Sequence, residues 1–132
     1  MRRIAVLVST ATVVGMTSAA ADLKDERAIS EGLITVGIAY EISEVCPSID
    51  PRRLRGLNYL LSLRGHALSL GYSRAEVDAY IDDDAEKDRL EAIARRRLEG
   101  MGAPRGDAAA HCAVGRAEVA KDSQIGRLLS AR

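Results

Sequence analysis

Cys46-Pro47-Ser48-Ile49-Asp50-Pro51-Arg52-Arg53-Leu54 divides the chain. A residue before proline is pushed out of the α region, so Cys46 is expected to close the helix that precedes it. Asp50 has the side chain of a good N-cap, since its carboxylate accepts from the orphan N–H groups of a first turn. Pro51 then falls at the first helical position, where its missing N–H costs nothing. Ile49 and Leu54 stand where a hydrophobic staple forms. The stretch predicts a junction between two helices, with a second helix running from Pro51 to about Leu70. It also holds one of only two cysteines.

Before the junction, a first helix is predicted from Leu23 to Val45, capped by Asp22. Ile34, Ile38, Ile42 and Val45 line one face, and Ile29, Leu33, Val36 and Tyr40 the next. Ala28, Gly32, Thr35 and Ala39 make a third face of small residues. A helix that is apolar nearly all round belongs in the middle of a bundle. Gly32 and Gly37 each cost about 1 kcal/mol against alanine inside a helix, and close approach of a neighbouring helix is the expected compensation.

After the junction, Leu54, Leu57, Leu61 and Leu68 recur at helical spacing, widened by Leu60, Leu63 and Ala67, and read as a core stripe. Arg52, Arg53, Arg55 and Arg64 are expected on the outer side. Gly71 is placed to stop this helix in the left-handed conformation. Ser73 with Glu76 forms a capping box, and Tyr72 with Val77 a staple, so a third helix starts there. Asp83 with Glu86 caps a fourth, predicted to run from Asp84 to about Glu99 and to stop at Gly100. Its apolar stripe is Leu90, Ile93, Ala94 and Leu98, and its charged face, from Glu86 to Glu99, reads as solvated with pairs such as Glu91–Arg95. The arginines Arg95, Arg96 and Arg97 fan around it rather than form one patch. A fifth helix follows from about Asp107 with Cys112, Val114, Ala117 and Val119, then a break near Lys121-Asp122-Ser123 and a last turn with Ile125, Leu128 and Leu129. No segment shows strand alternation. The fold expected is an all-α bundle of about five helices, with the first central and buried, tied by one disulfide.

The N-terminus indicates the compartment. Arg2 and Arg3 precede an uncharged apolar run from Ile4 to Met16, and Thr17-Ser18-Ala19-Ala20-Ala21 offers small residues to a signal peptidase. This is a Sec-type secretory signal pattern, with cleavage after Ala21 or Ala20 and no lipoprotein cysteine. Residues 1–21 are therefore read as a signal peptide and residues 22–132 as one periplasmic or secreted domain. The mature part keeps 17 basic residues against 19 acidic ones, a net charge of −2, which argues against nucleic acid as a partner. No second long apolar run follows, so no membrane span is expected in the mature chain.

In an oxidising compartment Cys46 and Cys112 are expected to pair. Their 66-residue separation gives the bond a loop-closure stabilisation of roughly 4 kcal/mol. A redox or nucleophilic thiol is the alternative, but His111 and Cys112, as helix neighbours, do not face each other. His66 stands alone on its helix with no second ligand at matching spacing. Asp82-Asp83-Asp84 fails the calcium-loop pattern, since Lys87 occupies the glycine position. No catalytic, cofactor-binding or metal site is predicted.

Cys46-Pro47-Ser48-Ile49, Arg53-Leu54-Arg55-Gly56-Leu57, Gly71-Tyr72-Ser73, the run from Tyr80 to Arg89, and Cys112-Ala113-Val114-Gly115-Arg116 resemble a bacterial domain-of-unknown-function family, number five-three-three-three. The resemblance covers most of the mature chain. It implies small exported proteins with two cysteines and no assigned activity, so it supplies no functional residues. The function expected is non-enzymatic: binding another periplasmic protein as an adaptor, an inhibitor or a stress-protective chaperone, the last by analogy of architecture with small acid-stress chaperones. Small apolar ligand binding between helices is the alternative, favoured by a sizeable cavity beside the glycine face of helix one. A hydrolase with paired carboxylates is a further reading, with little in the motifs to build it from.

Overall fold

The computed structural model describes residues 22–132. The expected signal peptide, residues 1–21, lies outside them. Among the described residues the elements are α1 (Arg27–Val45), β1 (Ile49–Pro51), α2 (Arg53–Ser69), α3 (Arg74–Ile81), α4 (Asp84–Gly100), α5 (Ala108–Ala120), α6 (Gln124–Arg127) and β2 (Leu129–Ala131), preceded by a single 3₁₀ turn, Leu23–Asp25. The protein is a helical bundle of five main helices built around α1, with a two-stranded ribbon at one end.

α1 touches almost every other element and joins two separate cores. Its C-terminal half puts Ile34, Ile38 and Ile42 against Leu98 of α4, Ile49 of β1, and Leu128 and Leu129 at the end of the chain. Its N-terminal end brings Ile29 together with Leu23, Ala67 of α2 and Val77 of α3. The small residues of α1 serve as expected: a Cβ at Gly32 would stand 2.5 Å from Leu63 of α2, and one at Gly37 would stand 3.3 Å from the Ala94 Cβ of α4. The first helix starts later than predicted. Asp22 caps the 3₁₀ turn by accepting from the Lys24 N–H at 3.3 Å, and Glu26, in an extended conformation, separates that turn from α1.

The junction is built differently from its reading. Cys46 does close α1, but Ile49-Asp50-Pro51 forms a strand, paired antiparallel with Leu129-Ser130-Ala131. Asp50 caps nothing; its carboxylate pairs with Arg132 at 2.8 Å. Arg52 is the residue before α2, and it donates through its backbone N–H to Leu128 O (2.8 Å) and through Nε to Leu129 O (2.9 Å). No staple forms, because Ile49 is buried whereas Leu54 is 72 % exposed. A pairing partner almost eighty residues away outcompetes the local helix-start signals.

Elsewhere the caps follow the sequence. The Ser73–Glu76 box is complete, and Asp83 and Asp107 accept from the N–H groups of Glu86 and Ala110. Gly71, at φ 98°, ends α2 as predicted. α4 runs through Gly100, and Gly102 at φ 102° makes the stop instead. There Ala103 N–H donates to Leu98 O and Gly102 N–H to Glu99 O, which satisfies the last carbonyls in a Schellman arrangement. Cys46 and Cys112 are joined, with Cα atoms 5.1 Å apart, so α5 is bonded to the end of α1.

Candidate functional site: an apolar groove beside α1

The largest departure from the sequence reading is α2. Its leucines were expected to form a core stripe, yet Leu54, Leu57 and Leu61 are 72, 53 and 54 % exposed, and Ala67 is the one fully buried residue of the helix. α2 rests on α1 through Leu63 and Ala67, while α4 packs along α1 through Ala94 and Leu98. Both helices therefore lie on α1, and between them a groove of about 500 Å³ stays open.

Leu33, Val36, Gly37 and Tyr40 of α1 line this groove, Leu60, Leu63 and Ala67 of α2 form one wall, and Leu90 and Ala94 of α4 the other. Leu23, Ile29, Val77, Tyr80 and Ile81 line its remaining part. The glycines make it possible. Because Gly37 has no side chain, Ala94 approaches α1 closely and α4 is drawn down on one side. Charged groups lie at the rim: Arg64, Lys87, Glu91 and Arg95 of the walls, and Glu41 of α1.

One polar cluster enters the lining. Glu86, expected on the solvated face of α4, is buried. Its Oε1 accepts from Tyr80 Oη (3.0 Å) and Arg89 Nη2 (2.7 Å), and its Oε2 from Arg89 Nε (2.8 Å). The hydrogen bonds from Arg89 hold its carboxyl below the usual range, outweighing the opposing effect of burial. Burial, reinforced by the hydrogen bond to Glu86, pushes the Tyr80 phenol up to about 12. Glu86 is thus an ionised, fully engaged carboxylate, shifted in the opposite direction from a general acid.

The other sequence candidates lie apart from the groove. Cys112 is spent in the disulfide, and no free cysteine remains among the described residues. His111 is buried beside it and donates from Nδ1 to Asp107 O at 2.6 Å. His66 is exposed. Of the aspartate run, Asp83 serves as the cap of α4, and among the described residues no three His, Cys, Asp or Glu side chains gather in a way that could hold a metal ion. Glu91 and Arg95 make no ion pair among the described residues. Arg97 instead reaches Glu31 of α1 through two hydrogen bonds. No described helix is long and apolar enough to cross a membrane.

Residues 21–130 match the family of unknown function DUF5333. The chain belongs to that family. The match spans almost all of the described structure, including both cysteines and every element that lines the groove. DUF5333 carries no assigned activity, so membership transfers no site. No curated protein and no solved structure matches the chain.

A cavity beside helix one is the alternative that the sequence admits, and the groove lies there, at Gly37; what the sequence does not reveal is the exposed α2 wall, because each wall is ordinary by itself. The signal was present in the arithmetic of faces: α2 carries more leucine than one contact with α1 can cover.

Proposed function

We propose that this member of DUF5333 is an exported, non-enzymatic binding protein whose working surface is the groove between α2 and α4. The observation that carries this reading is an open apolar groove continuous with exposed leucines, on a small domain whose other core, around Ile42 and Leu129, is closed. Contiguous exposed apolar surface on a small domain marks an interaction site. A groove walled by two helices takes a third, whose leucine-type side chains recur at i, i+3 or i+4, and i+7. The occupant is then an amphipathic helical segment of another protein, in an adaptor or stress-protective role. The disulfide and the leader pattern of residues 1–21 support export. The carboxylate buried in the lining, Glu86, is held low by Arg89, the opposite of what a general acid needs, and this supports a non-enzymatic role.

A second reading follows from the volume. About 500 Å³ falls within the range of roughly 300–1,000 Å³ typical of small-molecule sites, so a small apolar ligand fits the same groove.

One titration separates the readings. An apolar fluorescent dye is added to the oxidised mature chain, followed by a leucine-patterned helical peptide. Dye binding at one site, displaced by the peptide and abolished in Val36→Glu and Leu60→Glu, is the expected result. Dye that the peptide never displaces points to the small ligand. Neither binding overturns the groove as a working surface. Export is checked by the mass of the endogenous protein, expected to begin at Asp22 and to be ~2 Da short through loss of two thiol protons.

A further inference from the structure

The groove's first occupant can be argued from the chain's own surface, on the premise that the groove is the working site. Leu54, Leu57 and Leu61 stand at i, i+3 and i+7, one line along α2. Leu60, three residues from Leu57, belongs to the groove wall. Tyr40 and Ile81, 60 and 55 % exposed, line the same groove. These six account for most of the large apolar side chains left exposed among the described residues; only Leu70 and Met101 lie elsewhere. Most of the exposed apolar surface is therefore one patch, made of a projecting stripe and an adjoining recess.

Charge follows the same division. From Arg53 to Ser69, α2 carries Arg53, Arg55 and Arg64 and no acid. At the groove, Arg64 is paired with Asp78 at 2.8 Å, Lys87 lies 3.8 Å from Asp84, and Arg89 neutralises Glu86. Glu41, Asp83 and Glu91 are left against Arg95, none with an ion-pair partner among the described residues. Once the internal pairs are set aside, that of Arg64 included, the recess keeps an acidic rim, and the projecting helix keeps Arg53 and Arg55.

We infer that the occupant is a second copy of this chain: two copies associate about a two-fold axis, each laying the leucine stripe of its α2 across the groove of the other. A two-fold association uses one self-complementary patch twice and closes, so it leaves neither stripe free to extend a filament. The basic, acid-free helix meets the acidic rim, which favours this register over a stripe-to-stripe contact. Each groove is then incomplete without the partner's α2, and a client helix enters only by displacing it.

Sedimentation of the oxidised mature chain across a dilution series reads the association directly. A dimer that dissociates on dilution is expected. Leu57→Glu/Leu61→Glu weakens it by at least about tenfold, as truncating central apolar anchors does, while Leu70→Glu, outside the patch, leaves it unchanged. Hydrogen exchange of the unsubstituted chain gives the same information if the double variant does not fold: amides of α2 and of residues 83–95 gain protection as concentration rises. A chain that stays monomeric, or a dimer that persists in the folded double variant, overturns the inference. A monomer that still binds the apolar dye leaves the groove intact as a site for a different partner, whereas a monomer that binds neither dye nor peptide removes both proposals.

Discussion

Gly115 of α5 faces Ile49 of β1 with no room for a side chain between them. A Cβ at Gly115 would overlap Ile49 Cδ1 and stand 2.8 Å from Ile42 Cγ2. Ile42 and Ile49 are 0 and 2 % exposed, so neither has space to retreat into. This contact lies three residues from the Cys46–Cys112 bond and sets how closely α5 lies on the end of α1.

Gly115→Ala is therefore expected to destabilise the oxidised protein by about 2 kcal/mol, the usual cost of overpacking a tight core. Gly126→Ala should cost at least as much, because a Cβ there overlaps the backbone carbonyl of Glu118 and stands 2.7 Å from Val119 N. Gly65→Ala supplies the contrast. Gly65 lies inside α2 with open space around it, so alanine should stabilise by ~0.5–1 kcal/mol through helix propensity alone. Urea unfolding midpoints at constant m-value test all three.

The difference between these glycines was only partly visible in the chain. Gly32 and Gly37 stand out in an apolar helix as points of close approach, which they are. Gly115 and Gly126 sit in an alanine-rich segment and a short polar turn, where nothing local marks a contact. The same divide runs through the fold. Local signals placed the Ser73–Glu76 box, the Asp83 cap, the start of α5 near Asp107, the Gly71 stop and the end of α1 at Cys46. What depended on distant chain was illegible. Pro51 and Asp50 carry genuine helix-start chemistry, but the carbonyls of Leu128 and Leu129 take the donors of Arg52 and draw Ile49–Pro51 into a strand. Periodicity placed the leucines of α2 on one face without revealing that no later helix covers it. α5 and α6 pack instead near the other end of α1, where the disulfide holds them.

Removal of that bond should be felt throughout. Cys46→Ala/Cys112→Ala frees a loop of 66 residues, a loss of ~4 kcal/mol on loop-closure entropy. That is a large share of the ~5–15 kcal/mol that typically separates a native domain from its unfolded state. The ribbon of β1 and β2 is the second tie at this end, through Arg52 to Leu128 and Leu129 and through Arg132 to Ser48 O and Asp50. The double alanine variant should therefore unfold at lower urea yet keep its helical signal in water. Loss of all helical signal in the absence of urea would show the bond to be required for folding.

The pair between Arg97 and Glu31 ties α4 to α1, with hydrogen bonds of 2.6 and 2.7 Å. Both side chains are more than 40 % exposed, so Arg97→Met is expected to cost only ~0.5–1 kcal/mol and to cost less at high salt. Arg89→Met is the more damaging change. It leaves Glu86, 7 % exposed, with Tyr80 as its one remaining side-chain partner, and should cost ~2 kcal/mol. Thermal melts in low and high salt distinguish the two, since only the exposed pair is strongly screened.

Three carboxylates make the fold sensitive to acid. Hydrogen bonds from Arg97 hold Glu31 below its ordinary value, and those from Arg89 do the same for Glu86. Burial pushes Glu118 upward, but hydrogen bonds from Lys121 and Ser123 outweigh it, so its net shift is also downward. A carboxyl whose folded pKa lies below its unfolded value contributes stability that is complete above the unfolded pKa and is lost as pH falls through the folded one. The unfolded reference is 4.5 for each, so stability should be flat above about pH 5 and fall progressively below 4.5 as the unfolded chain takes up protons first. Glu31→Gln/Glu86→Gln/Glu118→Gln should be less stable at neutral pH and lose less on acidification. Unfolding free energies measured from pH 7 down to 3 test this directly. Parallel pH curves for the wild type and the triple variant would show that other carboxylates carry the acid sensitivity.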